Sequence, residues 1–276
     1  MDLKTLQDTP PWDWPRDAGK RFQEILINPR AEESDRLVAA DLAGDFTVIN
    51  DELADSLMRI VRSPNEPEGL RTTAAISLGP VLELADTDGF DDPDDVPITA
   101  STFHSIQETF QRLYFDNSTP QQVRRRVLEA SVRAPQGWHG DAIRAAYSSG
   151  ERDWMLTAVF SMRWVSGFDD QILEALKSAD SDIHYEAIAA ADNWGLDPAW
   201  SHVVALVQDR GTPKPLLLAA IGAVAGIRPA EAQEILADLA KSDDPEIVEA
   251  VAEAISMTDA TSDEQDDEEV GGEWIN

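Results

Sequence analysis

The chain has no cysteine among its 276 residues. This absence excludes disulfide bonds, thiolate metal centres and a cysteine nucleophile, and it fits a reducing compartment. No apolar run reaches the roughly 18 residues of a membrane-spanning helix. The opening MDLKTLQDTPPWDWP also lacks the basic start and apolar run of a secretory signal. We therefore expect a cytoplasmic protein.

Basic residues are also scarce, because 22 Lys and Arg stand against 53 Asp and Glu, which gives a net charge of −31. A surface this acidic repels phosphates and anionic membranes, so we expect neither nucleic acid nor a membrane as a partner. The dense basic cluster of the chain is Arg124, Arg125 and Arg126. The acidic balance fits a salt-adapted protein and an ordinary acidic cytosolic protein equally well.

Groups that carry catalysis are few. The four histidines, His104, His139, His184 and His202, do not show the spacing of metal ligands. Nothing in the sequence points to a Ser-His-Asp triad or to a pair of catalytic carboxylates. The sequence therefore predicts a non-catalytic protein with no cofactor and no metal.

The chain does contain an alanine-rich helical phrase that returns about every 30 residues. The phrase reads LVAADLAG over residues 37–44 and TTAAISLG over residues 72–79. Arg36 and Arg71 are 35 positions apart, and Ala219 and Ala250 are 31 apart. Self-similarity at this period is the signature of a solenoid of stacked helix pairs, so we predict an all-α fold. Further copies begin at Val127, Leu156, Glu186, Leu218 and Glu249.

The predicted layout is one array between two terminal segments. Residues 1–32 form an N-terminal capping segment, in which Trp12 and Trp14 are expected to pack over the first helix pair. Residues 33–257 form about six to seven helix pairs, including one helix over 68–85 and a last helix that ends at Met257. An acidic insertion lies at 86–99, and residues 258–276 form an acidic tail that we expect to be disordered.

The phrase from Leu70 to Gly79, with its leading arginine, paired alanines and closing Leu-Gly, resembles HEAT repeats. It looks most like the short bacterial and archaeal variety, which includes the HEAT-like repeats of phycobilin lyases and many proteins without an agreed activity. The tetratricopeptide pattern fits less well. The resemblance implies an α-α superhelix whose extended surface binds other molecules.

The acidic insertion carries many carboxylates, the ligands that Ca²⁺ prefers. The EF-hand order is not met, since position six from Asp86 is Asp91 rather than Gly and position twelve is Pro97 rather than Glu. A solvated loop is the favoured interpretation, and loose cation binding remains an alternative.

Aromatic residues recur in register. Trp164 and Trp194 are 30 positions apart, as are Trp154 and His184. Tyr185 follows Met155 by the same interval. Equivalent positions of neighbouring repeats lie side by side in a solenoid, so these pairs should form two short ladders. They could line a partner groove or pack between repeats, and packing is favoured for Trp164 and Trp194.

Three arginines join the candidate site. Arg133 and Arg163 are 30 positions apart, and Arg124 belongs to the basic cluster. They could receive a carboxylate-rich peptide or a phosphate. The favoured interpretation is that they pair with acidic residues of neighbouring repeats.

The leading functional prediction is a non-catalytic protein–protein interaction scaffold that binds a protein or peptide on a face built mainly from the second helix of each pair. One alternative is a tetrapyrrole-binding lyase or chaperone like the phycobilin lyases, and another is nucleic-acid binding, which the charge disfavours. The predicted contact residues are Trp154, Trp164, His184, Tyr185, Trp194, Arg124, Arg133 and Arg163.

Overall fold

A computed structural model describes residues 2–90, 92 and 95–271, with side chains described as far as Thr258. Every regular element within these residues is helical. The chain divides into two compact units, Met1–Ala145 and Ala146–Asn276. Over the described residues, no helix combines the length and the apolar character needed to cross a membrane.

The first unit consists of helices joined by short turns, with a 3-10 turn at Pro11–Asp13. Its α-helices are α1 (Leu3–Gln7), α2 (Ala18–Ile27), α3 (Glu33–Leu42), α4 (Asp51–Arg62), α5 (Glu68–Ile76), α6 (Gly79–Asp88), α7 (Ala100–Phe115), α8 (Gln121–Ser131) and α9 (His139–Tyr147), the last of which ends just beyond the unit.

The second unit continues the alternation of first and second helices, with 3-10 turns at Asp197–Ala199 and Leu239–Lys241. Its α-helices are α10 (Arg152–Ser161), α11 (Asp169–Ala175), α12 (Ser181–Asn193), α13 (Trp200–Gln208), α14 (Lys214–Ile227), α15 (Pro229–Leu236) and α16 (Pro245–Gly271).

Within each unit the first helices of successive pairs pack against one another as one layer. In the first unit α3 packs on α5 and α5 on α8, and in the second unit α10, α12, α14 and α16 pack in that order. The second helices touch one another less. The alanine-rich phrases supply the close contacts, since Ala39, Ala74 and Ala190 are fully buried and small side chains let helix axes approach. The prediction of an all-α solenoid of stacked helix pairs is confirmed.

The helix predicted over 68–85 is wrong as a single element, because α5 ends at Ile76 and α6 begins at Gly79. Pro80 causes the break, since proline has no N–H to donate and its ring clashes with the carbonyl four residues earlier. The additional segment of this repeat therefore includes α6 as well as the loop before α7. Val96 and Ile98 anchor that loop in the core, with 5% and 4% of their surface exposed.

The N-terminal segment covers the first helix pair, but with only one of its two tryptophans. Trp14 packs edge-on against Phe22, with ring centroids 5.4 Å apart, and its indole N–H donates to the carbonyls of Leu6 and Thr9 at 2.9 Å. Trp12 is 78% exposed, so the expectation that it packs there is wrong. Trp12 lies in the 3-10 turn before α2, on the side away from the core.

The C-terminal helix does not end at Met257. Helical backbone continues to Gly271, because no glycine or proline interrupts residues 258–270. It therefore covers residues that the sequence assigns to the acidic tail. No side chain after Thr258 is described, and residues 272–276 lie outside the described residues. The boundary of the tail stays a prediction.

The glycine that closes the repeat phrase allows close contact between neighbouring repeats. A methyl group on Gly44 would lie 2.3 Å from the carbonyl oxygen of Ser77, where α5 ends in the next repeat. Gly79 closes the next copy of the phrase, where the same added atom would lie 2.9 Å from Cδ of the Arg133 side chain and 3.5 Å, an ordinary contact distance, from the Cα of Ala130 on α8. Neither glycine has a positive φ. At Gly44 the backbone of the next repeat leaves no space for a side chain, whereas at Gly79 the close atoms belong to a flexible side chain.

We expect Gly44→Ala to lower the free energy of unfolding of the first unit by about 1–3 kcal/mol, because the backbone of Ser77 must move to admit the methyl group. Gly69→Ala is the matched control, since nothing lies within 4 Å of its added methyl group. That change should be neutral or stabilising by up to about 1 kcal/mol. Urea denaturation followed by circular dichroism measures both, and equal effects of the two substitutions would contradict the close-contact role.

Candidate functional site

Ion pairs with the period of the sequence repeat tie neighbouring repeats together. Arg36 forms a bidentate pair with Glu66, 30 residues later, at 2.6 and 2.8 Å. Lys214 contacts Asp244, also 30 residues later, at 2.8 Å. In each case a cation in the first turn of one first helix meets an acid at the start of the next. The repeat period therefore reflects charge pairing as well as apolar packing.

The equivalence of Arg36 and Arg71, read from their spacing, is visible in their hydrogen bonds. The guanidinium of Arg36 donates to the carbonyl of Leu26 at 3.0 Å, and that of Arg71 donates to the carbonyl of Val61 at 2.9 Å. Leu26 and Val61 are each the next-to-last residue of a second helix. Both arginines thus satisfy backbone carbonyls left open at the C-terminus of the preceding helix.

Two arginines of the basic cluster on α8 share one carboxylate of their own helix. Glu129 lies 2.5 Å from Arg126 and 3.8 Å from Arg125. Arg125 and Glu129 are both buried, each 4% exposed, and Gln122 accepts a hydrogen bond from Arg125 at 2.7 Å. Arg124 is half-buried on the same helix. Arg125 is therefore part of the packing of the first unit, and Glu129 offsets part of the charge of the cluster.

Arg133 and Arg163 both form ion pairs between repeats. Arg133 contacts Glu83 on α6 at 2.5 Å, and Arg163 contacts Glu186 on α12 at 2.8 Å. Their side chains are mostly buried, with exposed fractions of 26% and 24%. These contacts match the favoured interpretation of the two arginines, that they pair with acids of neighbouring repeats.

A cluster of aromatic and cationic groups closes the end of α10. Phe160 and Trp164 pack with ring centroids 4.9 Å apart, and the guanidinium of Arg163 lies 6.0 Å from the Trp164 ring. The indole N–H of Trp194 donates to the carbonyl of Met162 at 2.7 Å. Trp194 remains 40% exposed. These residues fasten α12 to the end of α10 and leave one edge of Trp194 in solvent.

The other predicted ladder is not one surface. Trp154 is buried in the core, with 9% of its surface exposed, because it lies on the side of α10 that packs within the unit. His184 faces His202 on α13, and their Nε2 atoms are 2.8 Å apart. Tyr185, the next residue of α12, projects about 100° further round the helix and is 40% exposed. Of these three residues, Tyr185 is the one that faces solvent most openly.

Tyr185 stands at one end of a groove between α12, α14 and α16, which we call the Tyr185 groove. The groove has a volume of about 600 Å³. Leu218, Ala219 and Ala250 form its apolar floor, and a depression of about 360 Å³ continues past Leu218 and Ala250 toward Met257. The remaining lining residues are Lys214, Pro215, Glu246, Glu249 and Glu253.

The rim of the Tyr185 groove is acidic. Lys214 forms ion pairs with Asp244 and Glu246. Glu249 and Glu253 are exposed, and within the described part of the chain neither forms an ion pair or a hydrogen bond, nor does the hydroxyl of Tyr185. Asp192 lines the adjoining depression, and burial raises the pKa of its carboxyl, although the charge of Arg163 opposes this shift. The groove thus combines an apolar surface with two carboxylates that form no ion pair with a described side chain.

The sequence identifies Tyr185 but places the binding face on the second helices, whereas the groove lies on the first helices. The register of Ala219 and Ala250 is the signal that could locate it. Equivalent small residues on neighbouring first helices leave a groove between the helix axes. The larger side chain of Tyr185 closes one end of this groove.

The acidic insertion holds no metal cluster in its described residues. No group of three or more His, Asp or Glu side chains is arranged for a metal anywhere among the described side chains. Asp86 is exposed on its helix, yet desolvation by its surroundings raises the pKa of its carboxyl. Asp91 and Asp94, which the calcium alternative also needs, lie outside the described residues.

A scan against protein-family models and a search of curated proteins return no match. The chain is similar to solved structures of YibA of Escherichia coli and of human deoxyhypusine hydroxylase in complex with glycerol. YibA is 17% identical, with a TM-score of 0.44 over 89% of this chain and 84% of that chain. The hydroxylase is 13% identical, with a TM-score of 0.39 over 89% and 97%.

An engineered protein is also similar, at 17% identity and a TM-score of 0.34 over 88% of this chain and 97% of that one. At these identities and scores, the similarity assigns neither an activity nor a partner to this chain. The repeat architecture rests on the helix packing of each unit.

Proposed function

We propose that this protein is a HEAT-like repeat scaffold that binds another protein through the Tyr185 groove. The observation that carries the proposal is an exposed tyrosine, with its hydroxyl unpaired in the described structure, beside an apolar floor. Tyrosine is enriched among the residues that dominate interface energies, because it offers a large rigid apolar area with a polar tip.

The charge of the groove favours a partner segment with lysine or arginine beside apolar residues. Glu249 and Glu253 supply two exposed carboxylates that can pair with a cation, and the net charge of −31 attracts basic partners over long range. An acidic peptide or a nucleic acid would meet repulsion at the same place. The two arginines that the sequence offers for such ligands, Arg133 and Arg163, already form ion pairs with carboxylates.

The test places a photo-crosslinking phenylalanine analogue at position 185 in cells, with the same analogue at position 115 as the control. Phe115 is 58% exposed and lies in the first unit. A partner that crosslinks from position 185 but not from 115 is then purified, and its affinity is measured. We expect Tyr185→Ala to raise the Kd about 30-fold, the equivalent of roughly 2 kcal/mol for an interface hot spot.

Charge reversal distinguishes binding by the carboxylates of the groove from attraction by the overall negative charge of the protein. Glu249→Lys/Glu253→Lys should slow association and weaken its dependence on salt. Glu234→Lys/Asp243→Lys is the matched control, because both residues are exposed in the second unit, outside the groove, and change the net charge equally. If both double variants bind alike, or if no partner crosslinks from position 185, the proposed function is wrong.

A further inference from the structure

A carboxylate without a partner lines the depression that continues from the Tyr185 groove. Asp192 is the next-to-last residue of α12, it lines the depression, and it is half-buried. Its carboxyl group forms no hydrogen bond and no ion pair with a described residue. Taking a carboxylate out of water without a partner costs free energy, and a cation that binds there recovers part of that cost.

The neighbouring helix leaves space for this carboxylate where it stands. Gly226 of α14 also lines the depression, and a methyl group on Gly226 would overlap Oδ1 of Asp192 and lie 3.0 Å from its Cγ. Gly226 does not have a positive φ, so its backbone conformation is open to other residues. The missing side chain at position 226 therefore serves the placement of the Asp192 carboxylate against α14.

Asp192 and Tyr185 face the same side of α12. They are seven positions apart, which brings their directions within about 20° of each other and separates them by about 10.5 Å along the helix axis. Leu218 and Ala250 line both the groove and the depression, so the two cavities share one apolar surface. A segment that packs on Tyr185 and Leu218 can therefore extend a long side chain to Asp192.

The charges around the depression favour a cation. Glu253 lines it as well and is exposed. Burial raises the pKa of the Asp192 carboxyl, and the charge of Arg163 acts in the opposite direction. Arg163 in turn contacts Glu186 at 2.8 Å, so its charge is shared with a second carboxylate. The charged groups in and next to the depression thus leave an excess of negative charge.

We infer that Asp192 is the cation subsite of the Tyr185 groove and receives a lysine or arginine side chain of the partner, an assignment that rests on the proposed function. Such a side chain has an apolar stem, which packs on Leu218, and a charged end, which reaches the carboxylate. Glu249 and Glu253 attract the partner at the exposed rim. Asp192 selects the residue that enters the depression, because a neutral or acidic side chain would leave the carboxylate unpaired.

Titration of the full chain with phenylbutylamine at physiological ionic strength tests the assignment, because this probe carries a primary ammonium group on an apolar chain. We expect a saturable shift of the Gly226 amide signal in the NMR spectrum. Asp192→Asn, which keeps the shape of the side chain, should weaken the amine about tenfold, as expected for a charge-assisted hydrogen bond. Phenylbutanol is the neutral match and should bind both proteins alike.

Asp243→Asn is the control variant, because Asp243 is an exposed carboxylate of the second unit outside the groove and the depression. It should leave the amine affinity unchanged, and circular dichroism verifies that both variants remain folded. No saturable amine binding, equal amine affinity in the wild type and Asp192→Asn, or an equal loss in Asp243→Asn would overturn the assignment.

The amine titration and the crosslinking from position 185 can fail separately. Amine binding that is independent of Asp192, beside a partner that crosslinks from position 185, would remove the cation subsite and leave the proposed function in place. Amine binding that depends on Asp192, with no partner crosslinked from position 185, would keep a cation site and reject the protein partner, and with it the assigned occupant.

Discussion

Replacing Glu129 by alanine should lower the free energy of unfolding of the first unit by about 3–5 kcal/mol, the usual cost of breaking a buried ion pair from one side. The carboxylate lies between Arg125 and Arg126 on α8. Arg126 is 45% exposed and can turn to water, whereas the side chain of Arg125 is 5% exposed. Without Glu129, the buried guanidinium of Arg125 therefore loses this opposite charge.

Two further variants test whether the loss of stability comes from the buried charge. Replacing both members of the buried pair, as Arg125→Met/Glu129→Leu, should cost far less than the single change, because no uncompensated charge remains. Glu108→Ala on α7 is the surface control, since Glu108 is exposed and such changes usually fall within about 0.5 kcal/mol. Urea denaturation measures all three. A loss below about 1 kcal/mol for Glu129→Ala would show that the pair is not coupled to the fold.

The stability of the first unit should fall by about 3 kcal/mol as the pH drops from 7 to 4, through His139 alone. His139 is fully buried, and burial lowers the pKa of its imidazole to about 4. In the unfolded chain the ring has its ordinary pKa near 6.5. Between these values the unfolded state binds the extra proton, so acid favours unfolding, and the loss is complete below the folded-state pKa.

The hydrogen bonds of His139 explain why the neutral ring is preferred. The N–H of Gln136 donates to Nδ1 at 2.8 Å, so the ring proton lies on Nε2, which is 3.0 Å from the hydroxyl of Ser131. That hydroxyl donates in turn to the carbonyl of Leu128 at 3.2 Å. A proton added at Nδ1 would break the first of these bonds inside the core.

The measurement is the free energy of unfolding in urea at pH 7, 6, 5 and 4 for the wild type and for His139→Gln, which cannot titrate. The wild type should lose about 3 kcal/mol relative to the variant across this range, while other groups cancel in the comparison. His104→Gln, which removes an exposed histidine, is the control. A difference between wild type and His139→Gln that does not change with pH would show that His139 is not held neutral by the fold.

The sequence predicts the helix pairs well because their signal is periodic and local. The equivalence of Arg36 and Arg71 is confirmed down to the hydrogen bonds that they make. The break at Pro80 could also have been read from the sequence, since a proline in the middle of a predicted helix argues against it. Helix α16 continues beyond its predicted end at Met257, because the end of this helix depends on where a helix breaker occurs and not on the spacing of apolar residues.

The candidate site was harder to predict, because exposure depends on which side of a helix faces the neighbouring repeat. Trp154 and Tyr185 each belong to a ladder pair, yet one is buried and the other is a groove wall. The facing of His184 and His202 depends on the angle between α12 and α13, which no spacing reveals. Residue types and register therefore indicate which helices carry the aromatic residues, while burial decides which of those residues solvent can reach.

The closer packing of the first helices has a mechanical consequence. In each unit the layer of first helices is joined by buried alanines, and in the first unit also by Gly44. This layer has little room to compress, so it is the stiff spine of the unit. The second helices touch one another less, and the elastic compliance of a unit resides there. Bending that spreads or closes the second-helix layer therefore costs less than stretching the spine, and deformation can be passed from one repeat to its neighbour without unfolding either.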